Sequence, residues 1–111
     1  MTYGRATLLL AIETLPVSSD EPVRQDLLDR SVAVSMALAR ESEGLGYLER
    51  ASAYRMITRA LVLMTPLDLS TGSAANLHSA VEAVEAPDAC RRVQELLADV
   101  IGPHGETPTP E

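Results

Sequence analysis

The segment DLLDRSVAVSMALARESE, residues 26–43, organises the whole chain because it predicts one long amphipathic helix. It contains no glycine or proline, and apolar or small side chains recur along it at steps of three and four. These steps place the side chains on two adjacent rows of a helix, so the apolar face is wider than a single seam. The rows are Leu27, Ser31, Val34, Leu38 and, beside it, Leu28, Val32, Ser35, Ala39.

The middle of this segment is rich in small side chains, namely Ser31, Ala33, Ser35, Ala37 and Ala39. Small side chains allow the axis of a neighbouring helix to come close. We therefore expect this helix to lie at the centre of a helical bundle. Ser35→Trp or Ala37→Trp should then disrupt the bundle, because a large side chain would overpack the contact.

Glycine and proline divide the rest of the chain into segments of helical length. A first helix over 3–15 should stop before Pro16, because the residue that precedes a proline is disfavoured in the helical conformation. The central helix should end at Gly44 or Gly46, one of which supplies the left-handed residue that terminates it. A third helix is expected over 47–64.

A fourth helix begins after 70–73 and should be kinked or broken near Pro87, since a proline inside a helix costs about 3 kcal/mol. Asp88 is a candidate N-cap for the segment that follows. The pattern predicts an all-α fold, a four-helix up-down bundle in one domain over residues 1–102. Residues 103–111 are rich in proline, threonine and glycine and predict a disordered tail.

The composition agrees with a small helical domain. With 46% hydrophobic and 23% charged residues, the 111-residue chain is typical of an ordered globular protein and not of a disordered one. Tryptophan and phenylalanine are absent and only three tyrosines are present. The core must therefore be aliphatic, which suits packed helices.

The third helix has a seam of alternating four- and three-residue steps, which is typical of helix bundles. The seam consists of Tyr47, Ala51, Tyr54, Thr58 and Leu61. Further apolar residues widen the face that we expect to be buried: Leu48, Ile57, Val62 and Met64. The central helices thus have more apolar surface than one small bundle covers, which predicts a homo-oligomer. The residues expected in the core or the oligomer contact are Leu27, Ser31, Val34, Ser35, Leu38, Tyr47, Tyr54 and Leu61.

All nine basic residues are arginines, and the net charge is −7. Such an acidic chain argues against broad binding to a nucleic acid, whose phosphates have to be neutralised. Five arginines lie on helices that can be neighbours: Arg50, Arg55, Arg59, Arg91 and Arg92. They form either a patch that binds a nucleic acid or a partner, or ordinary surface ion pairs with acids such as Glu49 and Glu95.

No arrangement of residues in the sequence indicates catalysis or a resident metal. His78 and Glu82 have the four-residue spacing of two metal ligands, but a site needs three or four ligands, and His104 lies in the predicted tail. Cys90 precedes two arginines and is close to a predicted helix N-terminus, and both features lower a thiol pKa. It has no nearby histidine to act as its base. We therefore expect no enzyme activity, no cofactor and no metal.

Two blocks of the sequence resemble a known family. The first is LDRSVAVS at 28–35, which leads to ESEG at 41–44, and the second is YLERA at 47–51, which opens an amphipathic helix. The layout is similar to the four-helix-bundle proteins of ribosomal RNA intervening sequences and to the accessory variability determinant (Avd) proteins of diversity-generating retroelements. The resemblance implies a ring-like oligomer, commonly a pentamer. For the retroelement branch it also implies a basic surface that binds nucleic acid and a reverse transcriptase.

The sequence favours a cytoplasmic protein. A single cysteine fits a reducing compartment, and no apolar run reaches the roughly 20 residues that span a bilayer, so we expect no membrane association. The function expected first is a non-enzymatic, oligomeric helical-bundle scaffold or adaptor that binds a protein partner. The alternative is a nucleic-acid-binding accessory protein of a reverse-transcriptase system, which would use the five arginines.

Overall fold

A computed structural model describes residues 2–15, 21–64 and 71–101. Of these residues 88% are helical and none forms a strand, so the predicted all-α class is confirmed. This part of the chain contains six helices: α1 (Thr2–Thr14), α2 (Glu21–Gly44), α3 (Leu48–Leu63), α4 (Thr71–Ala83), α5 (Ala89–Leu96) and α6 (Ala98–Ile101). The expected tail, 103–111, and its His104 lie outside the described residues.

Helix α2 is the amphipathic helix that the central segment predicts. Its buried residues belong to the two apolar rows and their continuation: Leu28, Ser31, Ser35, Leu38, Ala39 and Ser42. Leu27 and Val34 are half-buried and pack against the edge of the core. Two fully buried serines, Ser31 and Ser35, occupy the contact side of α2, where bulkier side chains would hold a neighbouring helix farther away.

The turn between α2 and α3 is closed by Gly46. Its φ of 87° is in the left-handed region, which glycine adopts without a steric cost. The Gly46 N–H donates to the Glu43 carbonyl at 3.1 Å, and the Tyr47 N–H donates to the Ser42 carbonyl at 2.9 Å. This pair of hydrogen bonds is a Schellman motif, which satisfies carbonyls at the end of α2 and reverses the chain. Of the two candidate glycines, the second one ends the helix.

The helices surround a single cluster of buried side chains. Helix α2 packs most extensively against α3 and also against α1, while α3 contacts α4, α5 and α6, and α4 contacts α1 and α5. Gly4 allows α1 to approach α2 closely, since a Cβ there would lie 3.2 Å from Leu38 Cδ2. The largest fully buried apolar side chains are Leu8, Ile12, Leu15, Ile57, Leu61, Leu77, Leu97, Val81, Val84 and Val93. As the composition requires, the core is aliphatic.

The predicted break near Pro87 is present. Helix α4 ends at Ala83 and α5 begins at Ala89. The intervening chain turns through short-range hydrogen bonds, with the Ala86 N–H donating to the Ala83 carbonyl at 2.9 Å. Pro87 has no N–H to continue a helical ladder, so the helix cannot run through it. A further irregularity at Leu97 separates α5 from α6, so the fourth helix, which was expected to be kinked or broken once, is divided into three.

Five residues that the sequence assigned to buried or close-contact faces are exposed. Tyr47 is 50% exposed, Leu48 65% and Val62 63%, and Ala33 and Ala37 are also exposed. Periodicity identifies the apolar side of a helix but not how much of it has a neighbour. Among the described residues, the side of α3 that bears Leu48 and Val62 has no neighbouring helix covering it. The predicted disruption by tryptophan therefore applies to Ser35→Trp and not to Ala37→Trp.

Candidate interaction surface and end pocket

A pair of hydroxyl groups lies at the centre of the α2–α3 contact. The Ser35 and Thr58 oxygens are 2.7 Å apart. Thr58 Oγ1 is also 2.9 Å from the Tyr54 carbonyl, and Ser35 Oγ is 3.0 Å from the Val32 carbonyl. Each hydroxyl has one hydrogen, so the two form a directional chain that ends at one or the other carbonyl. Both hydroxyls are satisfied.

Ser31, one turn before Ser35, is in the opposite situation. Its side chain is fully buried, yet its Oγ has no hydrogen-bond partner in the described part of the chain. A buried hydroxyl without a partner costs free energy, because it has lost its hydrogen bonds to water. Two identical side chains on one face of α2 thus contribute to stability with opposite signs.

Exposed large apolar side chains are concentrated on the α2–α3 hairpin. Eight are at least 40% exposed among the described residues, and Leu10 is the one outside the hairpin. The seven on the hairpin are Val23, Met36, Leu45, Tyr47, Leu48, Val62 and Leu63. Isolated exposed apolar residues are ordinary on a protein surface, but their concentration on one supersecondary unit indicates an interaction surface.

One side of the hairpin combines several of these residues with charged ones, and we call it the hairpin outer face. On α3 it follows steps of four and three, all at exposed positions: Leu48, Ser52, Arg55, Arg59 and Val62. On α2 it consists of Ala33, Met36, Arg40 and Glu43, which are also exposed. A groove of about 420 Å³ joins the two helices and is lined by Met36, Ala39, Arg40, Glu43, Arg55 and Thr58.

The five arginines of the predicted patch do not form one surface. Arg55 donates a hydrogen bond to Glu43 across the hairpin outer face, and Arg59 is exposed one turn further along α3. Arg50 lies over the Tyr47 ring, 4.6 Å from its centroid, and lines a different cavity. Arg92 lines a third depression, between α4 and α5. Although α3 and α5 are neighbours, the arginines of the two helices lie in different parts of the surface and contact different residues.

Arg91 and Arg92 are both held by Asp88. Their guanidinium groups donate to the two Asp88 carboxylate oxygens at 2.6 and 2.7 Å. These hydrogen bonds, the one from Arg92 first, hold the pKa of Asp88 below its usual value. The sequence offered Asp88 as an N-cap, but its side chain makes no capping hydrogen bond because its oxygens bind these arginines. The acids that pair with Arg55, Arg91 and Arg92 are thus Glu43 and Asp88, instead of Glu49 and Glu95.

Glu49 has a role that the sequence did not reveal. Its carboxylate accepts a hydrogen bond from the backbone N–H of Cys90 at 2.8 Å, so α3 caps the N-terminus of α5. The Cys90 thiol donates to the Glu49 carbonyl at 3.5 Å. Burial and then the charge of Glu49 raise the pKa of Cys90, contrary to the sequence-based expectation of a lowered value. The arginines that follow Cys90 are hydrogen-bonded to Asp88, and the carboxylate that contacts Cys90 belongs to Glu49 on α3.

A cavity of about 280 Å³ lies at the end of the bundle where α2 meets α3, and we call it the end pocket. It brings together four residues that the sequence singled out: Leu38, Tyr47, Arg50 and Tyr54. Residues from other elements complete its wall: Arg5 of α1, Glu41, Ser42 and Leu45 at the end of α2, and Glu85 after α4. The end pocket was not predicted, because its wall combines residues up to 80 positions apart in the sequence.

His78 links α4 to α1. Its Nε2 is 2.8 Å from Glu13 Oε2, and its Nδ1 is 3.7 Å from Glu82 Oε1. Within the described ranges, no group of three or more histidine, cysteine, aspartate or glutamate side chains is placed to hold a metal ion. His78 thus contacts Glu13 on α1 and Glu82 on its own helix.

Comparisons with protein-family models, curated proteins and solved structures found no match for this chain. Within the described residues, no helix combines the length and the apolar character that crossing a bilayer requires. The two candidate sites are the hairpin outer face, on the side of the bundle, and the end pocket, an open cavity at its end.

Proposed function

We propose that this protein is a non-enzymatic, self-associating helical scaffold or adaptor whose partner is another protein. The observation that carries the proposal is the concentration of seven of the eight large exposed apolar side chains on the α2–α3 hairpin. Burying such side chains contributes about 25 cal/mol per Å² of apolar surface, which favours association over exposure. Three of the seven, Tyr47, Leu48 and Val62, belong to the broad apolar face that the sequence predicts for the third helix.

A second copy of the chain is the first occupant that we propose for the hairpin outer face. The face has Met36 and Val62 as apolar anchors, and its charges are of both signs, with Arg40 and Arg55 beside Glu43. In a twofold contact the same surface meets itself, so a face with both signs of charge can pair with its own image. A ring with more subunits, such as the pentamer that the family resemblance implies, would use the face in a head-to-tail contact.

For the fold we propose the four-helix up-down topology, with α4, α5 and α6 together in the place of the fourth helix. The neighbour relations support it, because α1 contacts α2 and α4, and α3 contacts α2 and α5. In this arrangement α2 and α3 are adjacent members of the bundle, and the outer side of their contact is available to other molecules.

The nucleic-acid alternative has weaker support. Arg55, Arg91 and Arg92 already pair with carboxylates, and the net charge of −7 opposes approach to a polyanion. Arg59 and Arg40 remain the exposed cations of the hairpin outer face that a phosphate would meet first. A role beside a reverse transcriptase would then depend on contact with that protein more than on contact with its nucleic acid.

Light scattering coupled to size-exclusion chromatography tests self-association. We expect the wild-type mass to be two or more times the 11.9 kDa of one chain. The double variant Met36→Glu with Val62→Glu should give the monomer mass, because it places charges on the apolar anchors. Leu10→Glu is the matched control: Leu10 is 64% exposed but lies on α1, so the variant should keep the wild-type mass.

Two results would contradict the proposal: a wild-type mass of 11.9 kDa at every concentration, or equal masses for the double variant and the wild type. A parallel titration with RNA and DNA distinguishes the alternative. Retention that weakens with salt and is lost in Arg55→Glu with Arg59→Glu would favour the nucleic-acid accessory protein. The absence of retention at low salt would exclude that alternative.

A further inference from the structure

The end pocket has features of a ligand site, and two of the exposed apolar residues of the hairpin, Leu45 and Tyr47, line it. It lies against Leu38, Glu41 and Ser42 of α2, whereas the hairpin outer face uses Met36, Arg40 and Glu43 of the same helix. These two sets of residues occupy different sides of α2. Ligand-binding cavities usually have volumes of about 300–1,000 Å³, so at about 280 Å³ the end pocket suits a small molecule.

The charged groups of the end pocket are balanced. Two guanidinium groups, from Arg5 and Arg50, and two carboxylates, from Glu41 and Glu85, line the same cavity. All four act electrostatically on the hydroxyl of Tyr54, whose pKa is raised chiefly by burial. The four charges therefore converge on one region of the pocket.

The arginines of the end pocket have unused hydrogen-bonding capacity. Arg5 Nε is buried without a hydrogen-bond partner in the described part of the chain, and it lies 4.0 Å from Glu85 Oε2. That distance is too long for a hydrogen bond between the two groups. Arg50 Cζ lies over the Tyr47 ring, 4.6 Å from its centroid, and no described carboxylate lies within ion-pair distance of Arg50. Both arginines line the cavity, so their terminal N–H groups are the donors for a ligand acceptor placed in it.

The wall also has an apolar part, formed by Leu38, Leu45 and the tyrosine rings. A ligand that fits this wall needs an acceptor of negative charge for the arginines, a cationic donor for Glu85 and an apolar body. A simple anion would be repelled by the two carboxylates, and a metal cation would be repelled by the two guanidinium groups. A molecule with one negative and one positive group can pair with the guanidinium groups and with a carboxylate at the same time.

We infer that the end pocket binds a free α-amino acid with an apolar side chain. Arg5 and Arg50 hold its carboxylate, Glu85 accepts hydrogen bonds from its ammonium group, and its side chain lies against Leu38 and Leu45. Guanidinium and carboxylate groups form charge-assisted hydrogen bonds, which are about twice as strong as those between neutral groups. This ligand is additional to the proposed scaffold function, which by itself requires no small molecule.

Isothermal titration of the full chain with L-phenylalanine and L-leucine tests this inference. We expect saturable binding of at least one of them, with one ligand per chain. Two analogues of phenylalanine each lack one charge: phenethylamine lacks the carboxylate, and 3-phenylpropionate lacks the ammonium group. Each analogue should bind roughly tenfold more weakly or worse, which corresponds to about 1.4 kcal/mol.

Variants of single charged residues sharpen the test. Glu85→Gln should weaken the amino acid and phenethylamine but leave 3-phenylpropionate unchanged, and Arg50→Gln should weaken the amino acid and 3-phenylpropionate only. Glu85 is 53% exposed at its side chain, so its replacement should not prevent folding. Arg30→Gln, which removes a guanidinium group from the exposed pair with Asp26, is the matched control and should bind as the wild type does.

Several outcomes would overturn the inference. They are no binding of either amino acid at about 10 mM, equal binding of an amino acid and its charge-deleted analogue, or a Glu85→Gln variant that weakens all ligands alike. Because Met36→Glu with Val62→Glu leaves the end pocket intact, that variant should still bind the amino acid. Failure of the scaffold proposal and failure of the ligand proposal are therefore distinguishable.

Discussion

Two fully buried serines of α2 allow one substitution to be compared at two positions with opposite expected results. Ser31 and Ser35 are both fully buried on the same face, one turn apart. The Ser35 hydroxyl is hydrogen-bonded to Thr58 at 2.7 Å, whereas the Ser31 hydroxyl has no partner in the described part of the chain. Ser31→Ala should therefore stabilise the protein relative to Ser35→Ala.

The size of this difference follows from the two hydroxyls. Losing the Ser35 hydrogen bond should cost about 1 kcal/mol, and removing the unpartnered Ser31 hydroxyl should return about 1 kcal/mol. Both variants gain the same helix propensity, about 0.5 kcal/mol, which cancels when they are compared. The expected difference in unfolding free energy is about 2 kcal/mol, which corresponds to about 8 °C in Tm for a chain of this length.

Thermal unfolding followed by far-UV circular dichroism measures this difference. All samples need the same protein concentration, because self-association would make Tm depend on concentration. Ser31→Ala should have the higher Tm of the two variants and also exceed the wild type. Equal Tm values for the two variants, or a lower value for Ser31→Ala, would refute the assignment of hydrogen bonds on this face of α2.

Three other predictions follow from the packing and the charges. Ser35→Trp should lower the unfolding free energy by about 1–3 kcal/mol or prevent folding, because it overpacks the α2–α3 contact. Ala37→Trp, at an exposed position, should leave Tm nearly unchanged. Equal Tm values for these two variants would mean that Ser35 is not buried. Burial and then Glu49 raise the pKa of Cys90 above 9.0, so the rate at which iodoacetamide alkylates Cys90 should still increase above pH 9. In Glu49→Gln the same increase in rate should occur at lower pH. Mass spectrometry measures the rates, and identical rate–pH profiles for the two proteins would contradict the assigned cause. Glu49→Gln should also lower Tm, because the cap of α5 loses its charge while a side-chain oxygen still accepts the hydrogen bond, with an expected cost of about 0.3–1 kcal/mol. The exposed variant Glu95→Gln is its control.

The sequence was sufficient to predict the helical segments but not all of their ends. Absence of glycine and proline from residues 26–43 and the three- and four-residue steps predicted α2, Gly46 was one of two candidates for its end, and Pro87 predicted the break between α4 and α5, whereas the separation of α5 from α6 at Leu97 was not predicted. These features depend on the local conformational preferences of the backbone, which neighbouring residues determine. The buried serines were likewise on the rows that the pattern defined.

The sequence was not sufficient to predict which part of each apolar face has a neighbour. Leu48 and Val62 satisfy the helical period but are exposed, because coverage depends on the positions of other helices. The pairing of charges was equally inaccessible. Glu49 is a typical surface acid in the sequence, and its role as a cap appears only when α5 is placed beside it. The end pocket also depends on distant residues, since Arg5 and Glu85 meet there.

The cap that Glu49 provides for α5 has a consequence for the order in which the chain folds. Helix α5 has eight residues and α6 has four, whereas isolated helices need about 12–15 residues to be even marginally stable in water. The cap comes from a residue 41 positions earlier, on the first turn of α3. We therefore expect α5 to become stable only after the first turn of α3 has formed, so the carboxyl-terminal helices should fold after α3.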